Sequence, residues 1–572
     1  MKNRKLVWFL PLLLLVVAVV LVGCSQSNQQ ETDPHTTDVE TVAIPQTGDE
    51  TARVEPDTDG KTETENQPDS DTEADSEAGA DTEIETAPHY EETTDAINGE
   101  GLEFTLNEDG ASYSVTGIGA CNTSDIVIPS THEGLPVTAI GNGAFAWTYE
   151  ITSIIIPEGV TSIGDSAFHY CKNLTSVVIP ETVATLGKEA FSGCSQLVQI
   201  QLPKQITKIP SYAFYSCTSL ESVVIHDGIT SIADSAFSDC EALTSVHIPA
   251  SVTEIGTWAF SGCLRLESIT VDEQNQHYKS VDGNLCNKEG WLFIQYAIGK
   301  ADTAFTVPDE VTMIDGGAFE KGRYLEHIHI PESVTTIFTV NTFSHCTNLQ
   351  SITVDDGNPN YKSLDGNLYS KDGTVFIQYA LGRQDPTFAV PTGVTTIEHG
   401  AFDGCTYLTE VFIPDGVRSI DGFAFCDCTG LVRISLPAGI ESIASCTFNG
   451  CTSLQEVTLP SGLIQIGWFA FSHCENLTCI TIPVSVTTIE SDAFYMCTNL
   501  SVIDYEGTEA QWKNIDIQAN DFTKYTIRYQ GNSGGTVVPP VESETETESE
   551  TESETENPDS VFETRTETVY VI

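Results

Sequence analysis

Apolar side chains recur along this chain on a fixed beat. In the stretch LTSVVIPETVATLGKEAFSGCSQ they are Leu174, Val177, Ile179, Val183, Leu186, Ala190, Phe191 and Cys194, with mostly polar residues between. Leu174 to Ile179 is a short β-rich run, and Pro180 stops it because proline has no N–H to give a ladder. Val183 and Leu186 predict a second extended piece, and Gly187 lets the chain turn. Ala190, Phe191 and Cys194 close the unit with an irregular or single-turn segment packed on the same interior. The Ala-Phe or Thr-Phe step falls at Phe145, Phe168, Phe191, Phe214, Phe237 and Phe260, each 23 residues after the last. It returns at Phe319 and Phe343, then at Phe402, Phe425, Phe448, Phe471 and Phe494. Thirteen copies at a short period predict stacked supersecondary units, a right-handed repeat solenoid with parallel β-strands. One copy has no second layer to cover its apolar side chains, so neighbouring coils must cover them.

The beat breaks twice, from Phe260 to Phe319 and from Phe343 to Phe402, and both gaps are 59 residues. The inserts, near 272–307 and 355–390, are alike. Tyr278-Lys279-Ser280-Val281-Asp282-Gly283-Asn284-Leu285 in one matches Tyr361-Lys362-Ser363-Leu364-Asp365-Gly366-Asn367-Leu368 in the other. Asp-Gly and Lys-Asp-Gly turns between apolar runs predict hairpins that protrude from the array. Tyr278, Lys279, Asp282, Tyr361, Lys362 and Asp365 are their candidate contact residues, and a purely structural wedge is the other reading. Before the repeats, Phe104, Leu106, Tyr113 and Val115 alternate around Asn107-Glu108-Asp109-Gly110, a β-hairpin pattern. Residues 99–140 are therefore expected to cap the solenoid of residues 141–505, because an open end exposes apolar core and strand edge.

Eleven of the seventeen cysteines stand three residues after a repeat phenylalanine: Cys171, Cys194, Cys217, Cys240, Cys263, Cys346, Cys405, Cys428, Cys451, Cys474 and Cys497. Stacked equivalent positions have parallel side-chain vectors, whereas a disulfide needs its two Cβ atoms turned toward each other. No Cys-x-x-Cys pair gives zinc spacing. The ladder thiols are therefore expected to be buried and reduced, each bonding a backbone carbonyl. Cys121, Cys286, Cys426, Cys446 and Cys479 lie off the ladder, and the sequence pairs none of them.

The repeat Leu-x-x-Val-x-Ile-Pro-x-x-Val-x-x-Ile-Gly-x-x-Ala-Phe-x-x-Cys resembles the BspA-like leucine-rich repeat family of bacterial surface proteins. The Tyr-Lys-Ser-x-Asp-Gly inserts resemble that family's extended repeats. Tyr505-Glu506-Gly507-Thr508 with Gln511-Trp512 and Ile527-Arg528-Tyr529 resembles its closing segment, here residues 506–530. Two copies depart, with Thr148 and Gly322 at the cysteine position. The resemblance implies a leucine-rich repeat solenoid and an adhesin-like role toward extracellular proteins or other cells.

Outside the repeats the composition changes. Residues 1–23 carry three basic residues and then an apolar run, a secretory signal, and Leu21-Val22-Gly23-Cys24 resembles the bacterial lipoprotein signal with Cys24 lipidated. The chain is thus expected outside the cytoplasm at the cell surface, held to the membrane by that lipid only. Residues 24–98 form an acidic tether: 22 Asp and Glu face Arg53 and Lys61 alone, too polar to order themselves. Glu55, Asp57, Asp59 and Gly60 match part of a calcium-loop pattern, but the twelfth position is Asn66 rather than Glu. Residues 531–572 are a second acidic low-complexity segment. Of the net charge of −59, the signal carries +3, the tether −20 and the tail −10, leaving −32 on residues 99–530. Such a surface repels nucleic acid and anionic lipid.

Catalytic and cofactor motifs are missing: no Gly-x-Ser-x-Gly, no His-Glu-x-x-His and no phosphate-cradling glycine loop. No catalytic residue, metal or cofactor is assigned. His247, His327 and His329 flank the first insert, either near one another as ligands or as solvated strand-face histidines. A passive scaffold, or a carbohydrate-active or proteolytic enzyme using the inserts, are the alternatives to a binding protein. A solenoid binds through its strand face, where one side chain per coil points outward between two buried ones. That column is Ile155, Val178, Gln201, Val224, His247, Thr270, His329, Thr353 and Phe412, continuing to Ser435, Thr458 and Thr481. Ile155, Val178 and Val224 would form an apolar patch of the kind that marks a contact site.

Overall fold

The computed structural model describes residues 99–519, 522–531 and 537–538. Cys24, the signal, the tether with its calcium-like pattern and most of the tail lie outside these described residues.

Each copy contributes two short strands on either side of its proline turn. In the copy that carries Phe191 they are Ser176–Val178 and Thr185–Leu186. The first pairs in parallel with Ser153–Ile155, placing Ile155 against Val178. The second pairs in parallel with Ser162–Ile163. The same pairing one repeat apart, such as Ser231 with Glu254, builds two ladders along the array, where the sequence had marked one as the strand face.

The third side of each coil is the Ala-Phe turn, and it is bonded coil to coil as well. Phe168 N donates to Ala190 O at 2.8 Å and Tyr170 N donates to Ser192 O at 2.7 Å. Backbone groups that would otherwise be buried unpaired are thus satisfied on all three sides. The second residue after each repeat phenylalanine has a left-handed backbone, with φ from 50 to 81°. Only Gly193, Gly262, Gly404 and Gly450 are glycine there, so nine copies carry a conformation costing about 1–2 kcal/mol each, sustained by the turn bonds. Inside, Phe145 to Phe260 stack as a column with centroids 5.1–5.7 Å apart and nearly parallel planes.

The inserts do not protrude, contrary to the sequence expectation. Tyr278–Val281, Asn284–Asn287 and Leu292–Gln295 form antiparallel strands within the ladder, and the last pairs in parallel with Met313–Ile314. Tyr361–Leu364, Asn367–Ser370 and Val375–Gln378 repeat the arrangement against Thr396–Ile397. Burial explains the inward placement. Asn275 is fully buried and donates to the Pro249 and Val252 carbonyls, and Asn358 does the same to Pro331 and Val334. Both ladders stop at each insert. The apolar interior divides into three clusters at the inserts.

At the N-terminal end Glu103–Leu106 pairs antiparallel with Tyr113–Gly117, which pairs in parallel with Leu135–Ile140. At the other end Val502–Tyr505 and Thr526–Tyr529 extend a ladder. A single helical turn, Glu509–Trp512, begins with a Thr508–Gln511 capping box and sets Trp512 edge-on against Tyr505.

Candidate binding face

Strand alternation sets the outward column. Ile154, Val223, Val246, Ile269, Ile328, Ile352 and Val411 are buried, and the residue after each is the column member. Val178 is 46% exposed, Val224 54% and Phe412 52%, large for apolar side chains on strands. Gln201, His247, Thr270 and Thr353 are also exposed, whereas Ile155 and His329 are half-buried. Register places Ile155 beside Val178, His247 beside Thr270, His329 beside Thr353 and Phe412 beside Ser435. Gln201 falls in the copy between Val178 and Val224, so the apolar patch has a polar rung in it.

Polar rungs bond along the column. His247 Nδ1 lies 3.0 Å from Thr270 Oγ1, and His329 Nδ1 3.0 Å from Thr353 Oγ1. His327 Nδ1 lies 2.9 Å from Ser351 Oγ. His247 belongs to one sheet and His327 and His329 to another, beyond the insert, and the three histidines do not converge on a common point.

The insert residues take scaffold positions. The Tyr278 hydroxyl accepts a bond from Ile255 N at 2.8 Å, and Tyr361 accepts one from Ile337 N at 2.9 Å. Each phenol oxygen stands where the next ladder strand would have offered a carbonyl. Lys279 and Lys362 are half-buried, each lying over the glycine of its own turn, Gly290 or Gly373. Asp282 and Asp365 are exposed in left-handed turns, and their carbonyls accept bonds from Lys300 and Arg383.

The ladder thiols sit as expected, buried, and no two described cysteines are bridged. Ten donate from Sγ to the carbonyl of the phenylalanine one copy back, at 3.0–3.3 Å. Burial pushes the Cys171, Cys217 and Cys346 thiols up to about 12.

One constellation escaped the sequence analysis. His345, Asp403 and Asp427 bring their donor atoms within 4.8 Å of one another across the second insert. Their shared signal is position, one or two residues after a repeat phenylalanine. It becomes visible only when the 59-residue gap is closed up as one step of the stack. Among the described residues no helix is long and apolar enough to cross a membrane.

Six copies of the BspA type leucine rich repeat region match residues 138–267, 300–372 and 385–507. A leucine rich cell surface protein from Faecalibacterium prausnitzii A2-165 is 33% identical, over 74% of this chain and 97% of its own, with a TM-score of 0.39. The pneumococcal vaccine antigen PcpA is 20% identical, over 74% and 98% of the two chains, with a TM-score of 0.43. A leucine-rich repeat protein from Bacteroides ovatus is 22% identical over 75% and 98%, with a TM-score of 0.35. Comparison with curated proteins gives no match. The breaks between matched segments fall in the inserts, where the period is interrupted, and the repeats on either side carry the assignment: the chain belongs to the BspA-type leucine-rich repeat family.

Proposed function

We propose that this is a lipid-anchored, surface-displayed binding protein that contacts proteins or other cells through its outward strand column, an adhesin-like role. In this reading residues 1–23 are removed, Cys24 carries the lipid, and residues 24–98 hold the solenoid away from the membrane. The observation that carries it is the exposure of Val178, Val224 and Phe412 in one column, since large apolar side chains held outward on strands gain area when covered. The Faecalibacterium relative, named a cell surface protein, is in keeping with display. The acidity of residues 99–530 favours basic or neutral partners.

Two measurements test it. The mature chain is offered to an array of host matrix proteins and bacterial cells. Val178→Asp with Val224→Asp is expected to weaken capture at unchanged melting temperature. Val223→Asp, one residue inward, is expected to lose about 3 kcal/mol or more of stability by burying a charge. Undiminished capture by the outward pair would move the site to the inserts, and no capture at all would favour a passive scaffold. Separately, Cys24→Ala should abolish lipid labelling and shift the protein out of the membrane fraction; unchanged fractionation removes the anchor.

A further inference from the structure

The second insert draws together side chains far apart in the chain. His345 and Asp427 each stand two residues after a repeat phenylalanine, and Asp403 stands one after Phe402. His345 N donates to Asp403 O at 3.3 Å across the joint. Its Nε2 lies 3.5 Å from Asp403 Oδ1 and 3.8 Å from Asp427 Oδ2. Gly404 occupies the coil between His345 and Asp427. A Cβ there would come within 2.7 Å of His345 Nδ1, so glycine is what leaves the imidazole room to reach the second carboxylate.

The first insert provides an internal comparison. There Lys321 reaches across Gly262, with its Nζ 2.6 Å from Asp239 Oδ1, and Ser261 bonds Glu320 alongside. A Cβ on Gly262 would likewise collide with the bridging group, here the Asp239 carboxylate. A fixed ammonium therefore spans the first joint. At the second joint the chain sets two carboxylates around one imidazole. Asp403 is only 5% exposed, and the donor atoms of all three side chains lie within 4.8 Å of one another, close enough to share one ion.

The donor chemistry narrows the cation. One imidazole nitrogen and two carboxylate oxygens suit zinc and its first-row neighbours better than the oxygen-seeking calcium or magnesium. Tetrahedral arms of about 2.1 Å put donors roughly 3.4 Å apart, close to the separations from Nε2. We propose that His345, Asp403 and Asp427 bind one divalent first-row transition-metal ion, with zinc as the probe, clamping the second joint as Lys321 and Asp239 clamp the first.

The test uses the full mature chain, stripped with chelator and titrated with zinc in millimolar calcium and magnesium to occupy the acidic surface. One site per chain and a raised melting temperature are expected. His345→Gln and Asp427→Asn should each weaken that site about tenfold or more, while melting like wild type in chelator. His277→Gln, exposed and outside both the cluster and the strand column, should leave zinc uptake and melting unchanged. Equal uptake by wild type and both ligand variants means adventitious zinc and overturns the site, as does absence of uptake below millimolar zinc. If a variant fails to fold in chelator, cobalt substitution of the wild type decides. Visible bands of nitrogen and oxygen coordination support the site, whereas thiolate-to-cobalt charge transfer, or no bands, overturns it.

Discussion

The cysteine three residues after eleven of the thirteen repeat phenylalanines fills space, and in ten of them it also satisfies a carbonyl. Cys217 is fully buried, and its Sγ reaches Phe191 O at 3.2 Å. Water cannot follow it there, so the thiolate is strongly disfavoured and the thiol is held up at about 12. Such a thiol binds its proton more tightly folded than unfolded. The resulting stability is complete below the unfolded value of about 8.5 and is lost as pH rises toward the folded one. Each buried rung then removes about 1.4 kcal/mol per pH unit. Melting temperature should be level from neutrality to about pH 8 and fall steeply above pH 9, less steeply when Cys194, Cys217 and Cys240 are changed to Ala. Thiol reagent at neutral pH should label few ladder cysteines in the native protein and most after denaturation. Mass mapping that finds neighbouring rungs disulfide-linked would defeat this account.

At the scale of the element, the copies were legible because everything that specifies a coil lies within 23 residues. Pro180 ends one strand, Gly187 turns the chain, and Phe191 marks the third side. The inserts were legible only in part. Asp282-Gly283 announces a hairpin, and its left-handed pair is present, with φ 50 and 77°. Where the hairpin lies was not legible, because the decisive partners are on other coils. The Tyr278 hydroxyl meets Ile255 N, 23 residues back, and buried Asn275 ties to Pro249 and Val252. The His345 cluster was hidden for the same reason, since its third member, Asp427, lies two coil steps away once the insert is counted out. Tyr278→Phe tests the joint. It removes the acceptor of a half-buried N–H, so a loss of about 1–3 kcal/mol is expected, with faster hydrogen exchange at Ile255. Tyr361→Phe should act alike at Ile337. Tyr113→Phe, whose hydroxyl bonds exposed Glu133, should cost under about 1 kcal/mol. Equal, negligible effects from all three would mean that the phenols do not seal the ladders.

For the whole molecule, stacking makes stability a sum over coils and the interfaces between them. The interfaces are not equal. Phenylalanine rings stack from Phe145 to Phe260, again through Phe293, Phe319 and Phe343, and again from Phe376 to Phe494. The inserts part these columns and coincide with the borders between the three apolar clusters, whereas the strand ladders are interrupted there and at some ordinary coil steps too. Cooperativity passes through direct coil-to-coil contact, so the joints are where it should weaken and unfolding should proceed in blocks. Phe448 is fully buried between Phe425 and Phe471, at 5.5 and 5.3 Å. Phe448→Ala should cost about 3–5 kcal/mol, drawn from the block that contains it. Native-state hydrogen exchange should then show protection falling across residues 394–505 and holding across 145–260. A uniform fall along the chain would make the array one cooperative unit and the inserts ordinary coils. A fall that stops at the second insert would identify it as a mechanical boundary, and addition of zinc should then carry the coupling across it.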